Sequence, residues 1–134
     1  MREILFRGKC KDNGEWAYGS VVHQTDYYGK KVDRYFIIDG TSTQDYDIGY
    51  NYEVIPETVG QYTDLTDKNG KMIFEGDVVK YRDKCGYIVF DGCEFCVKFK
   101  NIPYIQHGLT VPIWANYFEV VGNRWDNPSL LQNV

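Results

Sequence analysis

Apolar and polar residues alternate at the start of the chain. Ile4, Phe6, Gly8 and Cys10 fall on one side and Arg7, Lys9 and Lys11 on the other, the period-two pattern of a half-buried β-strand. Asp12-Asn13-Gly14 turns the chain into Trp16, Tyr18, Ser20 and Val22, which predicts a hairpin. Gln24 to Arg34 is polar and Tyr-rich with Gly29 inside it, and reads as a long loop or a hairpin tip. Tyr35 to Ile38 is a short, continuously apolar strand. Asp39 to Tyr50 (DGTSTQDYDIGY) combines turn formers and acids with little periodicity. It reads as an exposed loop, either a linker or a packed lid, and as the boundary of an N-terminal β-unit. Tyr52 to Ile55 is a strand ended by Pro56.

In the second half, Asn69-Gly70 and Asp91-Gly92 each predict a type I′ turn, and Met72-Ile73-Phe74 has strand composition. Glu75-Gly76-Asp77 leads into a strand at Asp77 to Arg82, followed by strands at Gly86 to Phe90 and Cys93 to Phe99. Leu109 to Trp114 and Tyr117 to Val121 supply two more. Asn127-Pro128 places a cap and then a proline at a first helical position, so one terminal helical turn is expected. The predicted fold is mainly β: a small SH3-like barrel in the C-terminal half, an N-terminal β-hairpin unit, and at most a terminal helical turn. The 134 residues fit one domain, 1–134, divisible into β-subunits 1–58 and 59–134.

Composition agrees with strands and turns. Aromatic residues make up 16% of the chain, with 12 Tyr, and 13 Gly punctuate it. A chain of this size buries roughly two-thirds of its unfolded surface, so its core needs neither metal nor disulfide. Four cysteines are too few for a secreted disulfide scaffold, and the start MREILFRGK lacks the apolar centre of a signal peptide. Reduced thiols and a cytoplasmic setting are expected, without a membrane span. The net charge of −4 is uneven: residues 1–38, 39–67 and 68–134 carry +2, −7 and +1. The acidic middle repels phosphate, so any nucleic acid must lie against another face.

Candidate chemistry begins with DKNGKMIFEGD at 67–77, which looks like a calcium loop. Aligned on Gly70, Asp67 and Asn69 fit, but the first and last anchor positions become Leu65 and Gly76, with Asp64 and Glu75 each one residue out. A one-residue slip points a ligand away from the ion. Cys93-Glu94-Phe95-Cys96 could join Cys10 and Cys85 in a zinc site, yet residues three apart on a strand face opposite ways, so these are packing thiols. His23 and His107 lie in no nucleophile motif. The acid pairs Asp45/Asp47 and Glu75/Asp77 read as turn formers, and no glycine-rich phosphate cradle exists. No enzyme, metal or cofactor is expected. Lys80, Arg82, Lys98 and Lys100, beside Tyr81, Tyr87 and Phe99, are candidate nucleic-acid contacts, because small barrels bind single strands with a basic groove and stacking rings. Lys80 and Arg82 should share one side of their strand.

Gly60-Gln61-Tyr62-Thr63-Asp64-Leu65-Thr66-Asp67-Lys68-Asn69-Gly70-Lys71, followed by Ile73-Phe74-Glu75-Gly76-Asp77-Val78-Val79, resembles the "QYTGLKDKNGKEIYEGDIV" signature of the YopX-like proteins, found largely in bacteriophages and prophages. Phe118 to Leu131, with Glu119-Val120-Val121-Gly122-Asn123 and Asn127-Pro128, resembles the closing "EVIGNIYENPELL" pattern, and Ile4 to Lys9 matches the usual start. Asp64 stands where the family usually has Gly, a substitution a positive-φ turn tolerates better than most. The resemblance implies a mostly β structure with an SH3-like barrel and no established activity. The turn residues Asn69, Gly70, Gly76, Asp77, Asp91 and Gly92 read as structural. The expected role is that of a non-enzymatic phage accessory protein that binds an unknown host or phage protein, with a homo-oligomer left open. Binding of nucleic acid by the barrel is the alternative.

Overall fold

A computed structural model describes residues 4–39, 50–99 and 110–131. The chain is mainly β, in antiparallel sheets, and divides into two compact units, Met1–Gln61 and Tyr62–Val134.

The first unit is built on β1 (Phe6–Lys9), β2 (Trp16–Tyr27), β3 (Lys30–Asp39) and β4 (Tyr50–Val54), in the sheet order β4-β3-β2-β1. Gly60 and Gln61, the first residues of β5 (Gly60–Thr66), pair with Arg7 and Phe6 on the other side of β1. The sheet curls until its ends meet: Cys10 bridges Val54, the Ile55 N–H donates to the Lys9 carbonyl at 2.8 Å, and the Lys11 N–H donates to the Glu53 carbonyl at 3.0 Å. This curl encloses Cys10, Ala17, Ile37 and Val54, with Phe6, Val21, Tyr35, Tyr52 and Val59 packed around them. Gly8 permits it, because a Cβ there would stand 2.9 Å from the Val54 side chain. Pro56 starts a 3₁₀ turn through Thr58, whose hydroxyl accepts the Lys9 N–H at 2.9 Å.

In this unit the hairpin-tip alternative for Gln24 to Arg34 holds over the long loop, and one expectation changes. Gln24 to Arg34 is almost wholly strand: β2 and β3 continue to a two-residue turn at Tyr28 (φ 49°) and Gly29 (φ 82°). Positive φ at both positions is type I′ geometry. The sequence hides it because Tyr seldom occupies a left-handed position and because both faces of the ribbon are polar, which erases the period-two signal. Asp39 to Tyr50 is not the boundary, since Asp39 pairs with Tyr50 and the stretch therefore joins two neighbouring strands of one unit. Its inner residues, 40–49, lie outside the described set, as does the question of linker or lid.

In the second unit, β5 from Tyr62 pairs with β6 (Met72–Phe74), and β7 (Asp77–Tyr81), β8 (Lys84–Asp91), β9 (Glu94–Lys98) and β10 (Glu119–Asn123) form a sheet in the order β10-β7-β8-β9. Asp64 has φ 69° where the β5–β6 register shifts, so the position the family fills with Gly is a left-handed bulge. The core gathers Ile73, Val79, Ile88, Phe95, Val97, Phe99, Val111, Ala115, Phe118 and Val120.

Three local readings are corrected. The stretch expected as a strand over Leu109 to Trp114 contains a helical turn, α1 (Val111–Trp114), continued by a 3₁₀ turn at Ala115–Tyr117. Pro112 sits at its start, and the buried Val111, Ala115 and Phe118 repeat at helical spacing. Of Asn69 and Gly70 only Gly70 has positive φ (83°), in a three-residue loop closed by the Asp67 N–H donating to the Lys71 carbonyl at 2.8 Å. Asp91 belongs to β8 and pairs with Glu94, so the next turn is Gly92-Cys93 with positive φ (67°) at its first residue, which is the type II′ pattern. Pro128–Leu131 forms the expected terminal helical turn, a 3₁₀ one.

Candidate interaction surfaces

The β2–β3 ribbon outruns its neighbours. β1 pairs only with Trp16 to Gly19, and β4 reaches only from Asp39 to Tyr35, so over Gln24 to Arg34 the two strands have only each other among the described strands. Three residue pairs, Gln24–Arg34, Asp26–Lys31 and Tyr27–Lys30, with a register shift after the first, make an arm about 13 Å long over the four residues Gln24 to Tyr27. At its tip Tyr27 and Tyr28 are 50% and 89% exposed, meeting edge-to-face with ring centroids 4.6 Å apart, beside Lys30 and Lys31. His23 is exposed, stacks on its cross-strand partner Tyr35 with centroids 4.1 Å apart, and shares a hydrogen bond with Asp33 through Nε2. At the root, Glu53 accepts from Arg34 Nη2 at 2.7 Å and from Lys11 Nζ at 3.0 Å, tying β3, β4 and the chain after β1 together. Those hydrogen bonds, from Arg34 first and Lys11 second, hold the Glu53 carboxyl at about 2.

The calcium-like loop is occupied by its own backbone. Asp67, 4% exposed, accepts the Asn69 and Lys71 N–H groups on Oδ1 at 2.8 and 2.9 Å and the Val120 N–H on Oδ2 at 2.8 Å. The Lys68 N–H donates to the Phe118 carbonyl at 3.0 Å. Burial alone would raise the Asp67 carboxyl, but these amides outweigh it and hold it below the usual range. Asp77 likewise accepts the Phe74 N–H at 2.7 Å across the Glu75-Gly76 turn. Among the described residues no group of three or more His, Cys, Asp or Glu gathers in reach of one ion.

The candidate nucleic-acid residues separate. Strand register puts Lys80 opposite Cys85, and Lys98 opposite Tyr87, which pairs in turn with Val78. All five therefore share the sheet face turned away from Val79, Ile88 and Val97. Lys80 and Lys98 are exposed on it, two strand spacings apart. Arg82 falls beyond β7 in a left-handed conformation (φ 58°), its guanidinium over the Tyr81 ring at 5.2 Å, so strand alternation does not reach it. Tyr81 packs on Trp114 and Phe118, and Phe99 is buried in the core. Lys100 and His107 lie outside the described residues. In place of the two rings the face gains Arg124, whose guanidinium sits over Tyr87 at 4.4 Å.

All four cysteines are free thiols. Cys93 is exposed in its turn, while Cys10 and Cys96 are buried, and burial, helped by nearby acids, raises both thiols. Such thiols stay protonated and pack as small apolar groups. A cleft of about 180 Å³ opens beside Cys10, Glu15, Ala17, Asp39 and Tyr52. No helix among the described residues is long and apolar enough to cross a membrane.

The family model described as YopX protein matches residues 5–132. The chain belongs to the YopX family. A solved structure, the crystal structure of protein EF1440 from Enterococcus faecalis, shares the fold with a TM-score of 0.61 at 24% identity, over 98% of this chain and all of that one. No curated protein matches. In this YopX protein the two signature stretches are bonded to each other. Beyond the Asp67–Val120 and Lys68–Phe118 bonds, the Arg124 N–H donates to the Gly76 carbonyl at 3.0 Å. Gly76 (φ 91°) lies so close under the Trp125 ring that a Cβ would overlap it. Asn123 Oδ1 accepts the Trp125 and Asp126 N–H groups at 3.1 and 2.8 Å, closing the turn.

Proposed function

We propose that this protein is a non-enzymatic interaction module, and that its β2–β3 arm engages a protein partner. The observation that carries the proposal is the arm's tip: two large aromatic rings stand in solvent on a two-residue turn. Tyrosines supply broad amphipathic contact at low entropic cost, and the flanking strand edges, which pair with no other strand among the described residues, suit pairing with a partner strand. The non-enzymatic reading is supported by where the titratable groups spend their capacity. Asp67 is taken up by backbone amides, Glu53 by two cations, and the buried thiols are held protonated. The family resemblance supports a phage or prophage origin and a place in the host cytoplasm. The β7-β8-β9 meander, followed by a 3₁₀ turn and by β10 beside β7, supports an SH3-like plan for the second unit.

A photo-crosslinking residue placed at Tyr28 tests the arm, with one at exposed Glu57 as control. The expected product is a discrete adduct from position 28 alone, which mass spectrometry then assigns to a host or phage protein or to a second copy of the chain. Equal, diffuse labelling from both positions would remove the arm from the account.

A further inference from the structure

Three cations converge on one ring. Tyr87 lies in the middle strand of the second unit's sheet, with Lys98 directly across on β9, Lys80 one diagonal away on β7, and Arg124 over its face. Lys80 and Lys98 are separated by two strand spacings across the sheet and two residues along it, about 12 Å. In the first unit, Glu53 takes both Arg34 and Lys11. Among the described residues, Lys80, Lys98 and Arg124 are in no ion pair. All three are exposed, so their charge is directed at solvent.

Arg124 is also held in place. Its N–H is bonded to Gly76, the next ring, Trp125, is packed on Gly76, and Asn123 and Asn127 clamp the turn by hydrogen bonds in both directions. A guanidinium already seated on a ring loses little freedom when a ligand covers its outer side, and it presents a flat surface on which a base can stack. Acids bound the site. Glu119 is the strand partner of Lys80, and Asp91 and Glu94 close the far end of the same face. The usable strip runs from Lys80 across Tyr87 and Arg124 to Lys98. A narrow strand fits such a strip, whereas a broad duplex would be pressed against the flanking carboxylates.

We infer that this face binds single-stranded nucleic acid, with Lys80 and Lys98 on backbone phosphates and Arg124, seated on Tyr87, stacking on a base. The site is separate from the arm. Stacking and a short run of phosphate contacts give a sequence-tolerant ligand, and the two lysines act on DNA or RNA alike.

The test is fluorescence anisotropy of the full chain with labelled oligothymidylate, oligouridylate and a duplex across a salt series. Both single strands are expected to bind at low salt more tightly than the duplex. Log affinity should fall against log salt with a slope of about −1.4, as the two phosphates held by Lys80 and Lys98 predict for single strands. Separating the two single strands shows whether DNA or RNA is preferred. Lys80→Glu with Lys98→Glu should abolish binding, and Arg124→Lys, which keeps the charge but not the plane, should lower affinity roughly tenfold at an unchanged melting midpoint. Tyr27→Ser with Tyr28→Ser should leave it untouched. Absence of binding at the lowest salt, tighter binding of the duplex, or an Arg124→Lys variant equal to the native chain would each overturn the inference.

Discussion

The loop at Asp67 to Lys71 and the arm at Gln24 to Arg34 are both hairpin ends rich in polar residues, and they use those residues oppositely. Asp67 is buried and gives both oxygens to backbone amides, one of them on β10, 53 residues further along the chain. At the arm tip, Tyr27, Tyr28, Lys30 and Lys31 are exposed. A polar side chain that satisfies buried backbone donors is part of the fold, because removing it leaves those donors unpaired at full desolvation cost. A side chain that satisfies nothing internal is available to a partner. Thus the stretches that mark the YopX family encode a latch, and among the residues proposed for binding only Arg124 lies within them.

The contrast is broken most severely at the latch. Asp67→Ala orphans three amides, that of Val120 buried, and is expected to cost about 3 kcal/mol, read as a drop in the urea midpoint of the second unit. Gly76→Ala combines a left-handed backbone with overlap on the Trp125 ring and should cost roughly 2–4 kcal/mol. It should also release the Trp125 fluorescence signal from its packed environment.

Acid sharpens the same comparison. Glu53 and Asp67 both sit below the ordinary carboxylate range. Stability from such groups is complete above the unfolded-state value, about 4 for a carboxylate, and is lost as pH falls through the folded-state value. For Glu53 that window ends at about 2. Melting midpoints measured down this range should fall for the native chain and fall less for Glu53→Gln, whose side chain carries no proton-linked bond. A native-like slope in the variant would assign the acid sensitivity to other groups.

Changes at the arm tip should be nearly silent in stability. Tyr27→Ser with Tyr28→Ser is expected to shift unfolding by no more than about 0.5 kcal/mol while removing the partner adduct formed by a photo-crosslinking residue placed at the neighbouring, exposed Lys31. Tyr28→Asn keeps the left-handed turn with a residue that tolerates it better, so a small gain in melting midpoint is expected.

Much of this was legible in residue order. Period-two alternation locates β1, strand composition between turn formers locates β7 and β8, Gly and Asn mark most turns, and Asp64 in place of Gly correctly points to a positive φ. What failed has physical causes. The arm has no buried face, so it carries no alternation to read, and its turn uses Tyr28. Leu109 to Trp114 reads as a strand by composition, although the spacing of Val111, Ala115 and Phe118 and the place of Pro112 make a helical turn from Val111. Arg124 was missed because its place beside Tyr87 depends on two stretches meeting in space, 37 residues apart in sequence, and Arg82 was misplaced because β7 ends one residue before it.

Hydrogen exchange resolved at single amides tests the division of labour most directly. The amides of Lys71 and Val120, held by Asp67, and of Gly76 and Arg124 should exchange only when the second unit unfolds as a whole, while cross-strand amides between Gln24 and Arg34 should exchange far faster through local opening. Arm amides as slow as those of the latch, or latch amides that open locally, would contradict the account.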